Sequence, residues 1–330
     1  MKEKSWARYL LLLEVIVLLV VLGLVGYRQW KLANEPVKQV EEIDNDDKQP
    51  EKPKDTQTDT EKPDTPETPK TPVVVTGFSD AVNAQIKKMT LEQKVAQLFV
   101  ITPEMLTGTP KVTVTGQGTR TAMDQYPVGG LVYSKDNFQG KEQTAKMLSA
   151  AQTYYKEKNQ FALLLGVTEE GGKDYSPVAT ANGFPVQPMA SEFPTVKKTS
   201  ESAAIVSDYL KNQGFNLNLA IHTTSGLSGD KRSYNGAQEV IQKFVSAQMK
   251  EYQQRNVISV LQTFPSNNSA MEKYAECIMV EDITSKELTG DETTSCMMSA
   301  KAIEQLRAQR AFKGALMSSP LNTESIINKY

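Results

Sequence analysis

Four acidic side chains could serve acid/base or nucleophilic chemistry, for which carboxylates are well suited. The candidates are Glu169, Asp174, Glu281 and Asp282. Two carboxylates about 5 Å apart, astride an acetal bond, could act as nucleophile and general acid. For each one taken alone, a solvated surface acid is the stronger interpretation, because acidic side chains are mostly exposed.

Other polar and aromatic side chains at the predicted strand ends are candidates for binding a ligand. His222 is the single histidine and could donate to a ligand or titrate near neutral pH, but we favour a hydrogen-bonded structural histidine. Arg232 could hold a carboxylate or a sugar bidentately, or lie exposed on the surface. Four tyrosines could offer a stacking platform, although ordinary packing is the default, namely Tyr126, Tyr133, Tyr175 and Tyr234.

Short apolar runs alternate with amphipathic stretches from Phe78 onward, and they indicate the elements that position these side chains. The predicted strands are Gln97–Ile101, Gly129–Ser134, Phe161–Thr168, Phe215–Ile221, Val257–Thr263, Cys296–Lys301 and Gly314–Ser318. The predicted helices are Thr90–Leu98, Lys141–Lys156, Glu201–Gln213, Ala237–Gln254 and Lys301–Gln309. This alternation predicts an α/β fold of the (β/α) barrel type, whose functional residues lie at the C-terminal ends of the strands.

The predicted barrel is incomplete at its C-terminal end. Leu321–Tyr330 alone follow the last predicted strand, which leaves no room for a further strand and helix. An unpaired strand edge invites association, so we expect either a helix to cap the gap or the protein to associate there.

The first 77 residues differ in composition from the rest. We predict a cytoplasmic tail at 1–8, a transmembrane helix at 9–27, a disordered linker rich in Pro, Thr, Asp, Glu and Lys at 28–77, and the barrel domain at 78–330. The apolar stretch is long enough to cross a bilayer, and the basic residues before it favour a cytoplasmic N-terminus. A cleaved signal peptide is the rival interpretation of this stretch. The linker is either a tether through a cell wall or an ordinary linker.

The net charge argues against nucleic acid as a partner, and the Cys and His positions argue against a zinc site. With 37 basic and 39 acidic side chains, the net charge of -2 offers no basic field for nucleic acid. No Cys/His cluster has zinc spacing, so we predict neither a metal nor a cofactor. Cys277 and Cys296 could pair in an oxidising compartment, but two free, buried thiols are slightly favoured.

Several motifs occur in the order that a known family uses. They are Met89–Phe99, Tyr126–Tyr133, Gly166–Gly172, Gly214–Ala220 and Gly229–Tyr234. On these motifs, residues 78–330 resemble the N-terminal barrel domain of glycoside hydrolase family 3, most closely its bacterial β-N-acetylhexosaminidase branch. The resemblance implies a (β/α) barrel and a retaining glycosidase with two catalytic groups.

The positions where the family keeps its catalytic groups carry other residues. The resemblance implies an aspartate nucleophile at the position of Ser319, which Pro320 follows. It implies an acid/base histidine in a loop that follows Lys-His-Phe-Pro-Gly-His-Gly. This sequence reads Gln262–Asn268 there, with Thr263 and Asn267 in place of the two histidines, and no Asp-x-His follows. The implied catalytic groups are therefore missing.

The implied sugar contacts are also replaced. The expected aspartate and arginine are Thr168 and Tyr175, whereas Arg232 is retained. Glu170 is retained with its two glycines, and we expect these three residues to shape a turn rather than to touch a ligand.

We therefore predict a membrane-anchored, extracellular barrel that is catalytically inactive and binds a cell-wall glycan or a protein partner. The ligand-binding candidates are Arg232, His222, Glu169, Asp174, Tyr175 and Asn267. Two alternatives remain. One is an active hydrolase of N-acetylhexosamine glycans that uses relocated carboxylates, and the other is a structural surface protein.

Overall fold

A computed structural model of the chain describes residues 79–223, 230–265, 269–272 and 275–330. The predicted tail, transmembrane helix and linker at 1–8, 9–27 and 28–77 lie outside the described residues. Within the described residues, no helix is long and apolar enough to span a bilayer.

The described residues form a seven-stranded parallel sheet in which strand order follows chain order. The strands are β1 Val100–Ile101, β2 Gly130–Tyr133, β3 Leu164–Val167, β4 Leu217–Asn218, β5 Ile258–Phe264, β6 Cys277–Val280 and β7 Ala315–Ser318. In the described part of the chain, β1 pairs with β2 alone and β7 with β6 alone. The sheet is therefore an incomplete α/β barrel, as the sequence predicts.

Helices connect successive strands. Their bounds are α1 Asp80–Lys88, α2 Leu91–Ala96, α3 Pro103–Thr107, α4 Gln117–Gln125, α5 Lys141–Asn159, α6 Pro177–Asn182, α7 Val196–Gln213, α8 Gln238–Gln254, α9 Ser269–Glu272, α10 Lys286–Thr289, α11 Ala300–Glu304 and α12 Glu324–Ile327. Short 3-10 helices lie at Lys135–Asn137, Ala190–Glu192 and Cys296–Met298, and a π-helical turn at Gln305–Gln309 continues α11.

Local sequence signals explain where the long helices begin and end. The hydroxyl of Thr195 accepts a hydrogen bond from the Lys198 N–H and caps the N-terminus of α7. Gly214 ends the same helix with a φ of 104°, a left-handed conformation that glycine adopts without a side-chain clash. These two residues place Phe215 directly before β4.

Apolar side chains fill both faces of the sheet. On the outer face, Leu131 and Leu165 pack with helix residues such as Leu148 and Leu210. On the inner face, side chains from β2 to β7 form a separate cluster that includes Leu217, Leu219, Val260, Cys277, Met279 and Met317. Each fully buried leucine contributes roughly 1.5–3 kcal/mol, so the two layers hold the strand ends in place.

The Gly-Gly pair at the start of β2 is required by close backbone packing. A β-carbon at Gly129 would lie 2.2 Å from the backbone oxygen of Gln97, and one at Gly130 would lie 2.8 Å from the β-carbon of Leu164. The glycines in this family-like motif therefore serve the packing of β1, β2 and β3.

Two strand predictions need correction. The predicted strand Cys296–Lys301 is wrong, because Cys296–Met298 form a 3-10 helix and the Ser299 hydroxyl then caps α11. The sixth strand is β6, Cys277–Val280, which the sequence analysis missed. A short apolar run fits a buried strand or a buried helix equally well by periodicity, and only tertiary packing separates them.

The C-terminal helix α12 follows β7 but binds the loop after β6. The Ser325 hydroxyl donates to Asp282 at 2.6 Å, and the Ser295 N–H donates to the Tyr330 hydroxyl at 3.2 Å. These contacts lie at the C-terminal end of β6 and not at the free edge of β1. Association at the open edge stays a prediction. Cys277 and Cys296 are buried free thiols, as the sequence favours.

Candidate functional site

Four of the predicted site residues, Glu169, Tyr175, His222 and Arg232, lie at the C-terminal ends of β3 and β4. Gly171 and Gly172 turn the chain after β3 with φ values of 104° and 70°. A β-carbon at Gly171 would lie 2.3 Å from the backbone oxygen of Pro188, so this turn requires glycine. Glu169 and Glu170 lie between β3 and this turn, and their carboxyl groups contact different partners.

Glu169 is a buried anchor for the loop after β3. Its carboxylate accepts hydrogen bonds from the Val178 N–H at 2.8 Å, the Ala179 N–H at 3.1 Å and the Tyr209 hydroxyl at 2.8 Å. Burial raises the pKa of Glu169 to about 7, and the three donors offset part of that rise. The carboxylate that the sequence analysis proposed for ligand binding therefore holds α6 and α7 together.

Glu170 and His222 form a buried hydrogen-bonded pair at the strand ends. Glu170 Oε1 lies 2.9 Å from His222 Nε2, and the two side chains are 6% and 12% exposed. The other carboxylate oxygen of Glu170 is buried without a hydrogen-bond partner. The Glu170 N–H also donates to the Tyr175 carbonyl, so this residue both shapes the turn and fixes the histidine.

His222 is held between two neighbouring segments of chain. It forms isolated parallel bridges with Ser233 and with Gln262 of β5. Burying a carboxylate is costly unless it has a partner. The hydrogen bond with His222 therefore offsets part of the cost of burying Glu170. The structural interpretation favoured for His222 from the sequence agrees with these contacts, and its place at the strand ends keeps it a ligand-binding candidate.

Arg232 lies beside this pair and is oriented by Asp230. Arg232 Nε and Nη2 donate to the two oxygens of Asp230 at 3.0 and 2.9 Å. This contact holds the pKa of Asp230 below its ordinary value. The guanidinium carbon lies 5.3 Å from the centre of the Tyr175 ring, within the range of a cation–π contact.

The remaining candidates are dispersed. Asp174 is exposed in the turn after β3, and Asn267 lies outside the described residues. Among the tyrosines, Tyr133 and Tyr234 are buried in the core, and Tyr126 is exposed ahead of β2. Tyr175 is the one tyrosine of the four that is exposed at the described strand ends, where it stacks with Arg232.

Ser319, directly after β7, is buried between the exposed residues Ser318 and Pro320. Ser319 is 7% exposed, its N–H donates to the Val280 carbonyl at 2.9 Å, and its hydroxyl lies 3.2 Å from the Met297 sulfur. The nearby acid Asp282 accepts the Ser325 hydroxyl. Ser318, Ser319 and Pro320 supply no carboxylate.

The turn-shaping role of Glu170 agrees with the sequence-based expectation, whereas its pairing with His222 and that of Asp230 with Arg232 were missed. The signal for Glu170 was its place in the retained Glu-Gly-Gly motif, and the signal for Asp230 was its spacing of two residues from Arg232. Among the described residues, no group of three or more His, Cys, Asp or Glu side chains could hold a metal ion.

Several solved structures have a similar fold. A glycoside hydrolase family 3 β-N-acetylglucosaminidase from Paenibacillus sp. str. FPU-7 matches with a TM-score of 0.65 and 20% identity, over 73% of this chain and 51% of that chain. A family 3 glycosyl hydrolase from Mycobacterium smegmatis matches with a TM-score of 0.59 and 18% identity, over 74% and 80%. A β-N-acetylhexosaminidase from Beutenbergia cavernae matches with a TM-score of 0.56 and 16% identity, over 73% and 81%.

No family model and no curated protein matches the sequence. This chain spans about half of the Paenibacillus protein, and 32% of a fungal multi-domain β-N-acetylglucosaminidase of similar fold. The described residues therefore have the fold of the barrel domain in glycoside hydrolase family 3, which confirms the resemblance at the level of the fold.

Proposed function

We propose that this chain is a membrane-anchored, extracellular protein whose barrel binds a cell-wall glycan or a protein partner without hydrolysing glycosides. The observation that carries the proposal is the end of β7, where Ser319 is buried against Met297. A neutral, buried hydroxyl supplies no charge to stabilise a positively charged transition state.

The other carboxylates at the strand ends support the absence of turnover. A retaining glycosidase needs two carboxyl groups about 5 Å apart that face its substrate. In this structure four of the acids near the strand ends contact other groups of the protein: Glu169 accepts from two backbone N–H groups and Tyr209, Glu170 pairs with His222, Asp230 with Arg232, and Asp282 with Ser325. Any of these four would have to lose its partners before it could act as a relocated catalytic carboxylate, whereas Asp174 is exposed.

Fold and sequence support the remaining parts of the proposal. The proteins of similar fold are β-N-acetylglucosaminidases and related hydrolases, which favours descent from a glycan-binding barrel. The apolar stretch at 9–27 and the polar linker at 28–77 favour a membrane anchor and a spacer.

The test is hydrolysis of aryl N-acetylglucosaminides by the full chain. We expect no release of the aryl alcohol above buffer, and the same result for Glu170→Gln and Asp174→Asn. Turnover that either substitution abolishes would establish relocated carboxylates and refute the proposal. Membrane anchoring is tested separately by cell fractionation, because removal of residues 9–27 should transfer the protein to the soluble fraction.

A further inference from the structure

Exposed apolar side chains line the strand-end surface above β6 and β7. Ile283, Met298, Leu321 and Ile327 are between 43% and 64% exposed, and we call these four residues the apolar rim. They come from four different places, namely the loop after β6, the 3-10 helix, the segment after β7 and α12. Single exposed apolar residues are ordinary, but clusters of them mark interaction sites.

Hydrogen bonds hold the four segments that carry the rim together at the C-terminal ends of β6 and β7. The Cys296 N–H donates to the Ile283 carbonyl at 2.8 Å, which places Met298 beside the loop after β6. The contact between Ser319 and Met297 holds the start of the segment that carries Leu321 against the 3-10 helix. The bond from Ser325 to Asp282 holds α12, and with it Ile327, against the same loop.

Acidic side chains surround the rim. Glu281, Asp282, Asp291, Glu292 and Glu324 lie in or beside the segments that carry it, against three lysines, Lys286, Lys301 and Lys329. Lys286 pairs with Glu292 at 3.3 Å, and Lys329 donates to the Thr293 carbonyl. Hydrogen bonds hold the pKa values of Asp282 and Asp291 below their ordinary range, so both are charged at neutral pH. The rim is therefore an apolar surface in an acidic field.

We propose that the apolar rim is the docking surface for a protein segment whose apolar side chains are flanked by basic residues. The inference rests on the proposed binding function and names the partner that this part of the barrel would take. Burial of the four side chains would favour association because it removes apolar surface from water, and the acidic field would speed the approach of a basic segment. A hydroxyl-rich glycan has little apolar surface to offer the same four residues.

Binding of synthetic peptides to the full chain tests the partner chemistry. The probe is a short fluorescein-labelled peptide of leucine and lysine, read by fluorescence anisotropy, and its counterpart of leucine and glutamate is the control for charge. An N-acetylglucosamine oligosaccharide serves as a competitor. We expect saturable binding of the basic peptide, weak binding of the acidic one, and no displacement by the oligosaccharide.

Matched substitutions locate the binding surface. Met298→Gln and Leu321→Gln should each weaken binding of the basic peptide about tenfold, equivalent to about 1.4 kcal/mol. Leu98→Gln, the same kind of change at an exposed residue ahead of β1, should leave it unchanged. Glu324→Lys should weaken the basic peptide and strengthen the acidic one. Unaltered thermal melting of each variant would show that the fold is retained.

Three results would overturn the assignment: equal binding of both peptides, equal loss in Leu98→Gln, or displacement of the basic peptide by the oligosaccharide. Displacement by the oligosaccharide would indicate that the rim binds a glycan instead of a protein segment. Hydrolysis of an aryl N-acetylglucosaminide would instead count against the proposed function, and it would leave the peptide result standing.

Discussion

Replacement of Glu169 by glutamine should change how the stability of the protein depends on pH. Burial raises the pKa of this carboxyl from its ordinary 4.5 to about 7, so the folded protein keeps a proton that the unfolded chain releases in this window. The folded state binds more protons there, and its stability therefore falls as pH rises. A difference of about 2.5 pKa units corresponds to about 3 kcal/mol.

Glu169→Gln removes this titration because an amide does not ionise. Relative to the variant, the wild type should be about 3 kcal/mol more stable at pH about 4.5 than at pH about 8. The assay is urea denaturation of the full chain at several pH values, followed by far-ultraviolet circular dichroism. Glu157→Gln, at an exposed position of α5, is the matched control and should shift stability by less than about 0.5 kcal/mol at any pH.

A constant difference between wild type and Glu169→Gln across this range would refute the reasoning. It would mean that Glu169 stays ionised in the folded protein because the donors Val178, Ala179 and Tyr209 outweigh the effect of burial. The same measurement thus shows whether burial or hydrogen bonding controls the pKa of Glu169.

Two further changes test the packing. Gly129→Ala should destabilise the fold by about 1–3 kcal/mol, because its β-carbon would meet the Gln97 backbone oxygen, whereas Gly118→Ala, in open space on α4, should stabilise it by about 0.5–1 kcal/mol. Equal urea midpoints for the two variants would argue against the close approach of β1 and β2. Burial raises the pKa of the Cys277 thiol to about 12 and also raises that of Cys296, so neither should react with a thiol reagent at pH about 8 until urea unfolds the chain. Fast reaction of the native protein would contradict the buried positions.

Six of the seven strands of the parallel sheet could be predicted from the sequence, because mainly apolar runs alternate there with helical patterns. The error at Cys296–Lys301 shows the limit of that signal, since Ser299 acts as a helix cap there. Only tertiary packing shows that the segment from Cys296 to Lys301 is helical. The following residue, Ala302 of α11, belongs to the same apolar cluster as Leu288 of α10 and Leu316 of β7.

The candidate site was predicted in its location but not in its detail. Arg232, His222 and Tyr175 do meet at the strand ends. The sequence analysis chose Glu169 over Glu170 for ligand binding, whereas the structure buries the first and pairs the second with the histidine. Adjacent side chains at a strand end point in different directions, and which one faces the interior depends on backbone turns that a single sequence does not reveal.

The open sheet also affects how the molecule can come apart. Because strand order follows chain order and β1 does not pair with β7 in the described residues, each β/α unit is stabilised mainly by the units before and after it. In a closed barrel the first and last units also support each other, which makes unfolding more concerted. Here the terminal strands β1 and β7 each have one neighbour and can fray independently while β3 to β5 remain folded. The strands β3 and β4, which lead into the segments with Glu170 and His222, are then the most protected part of the sheet.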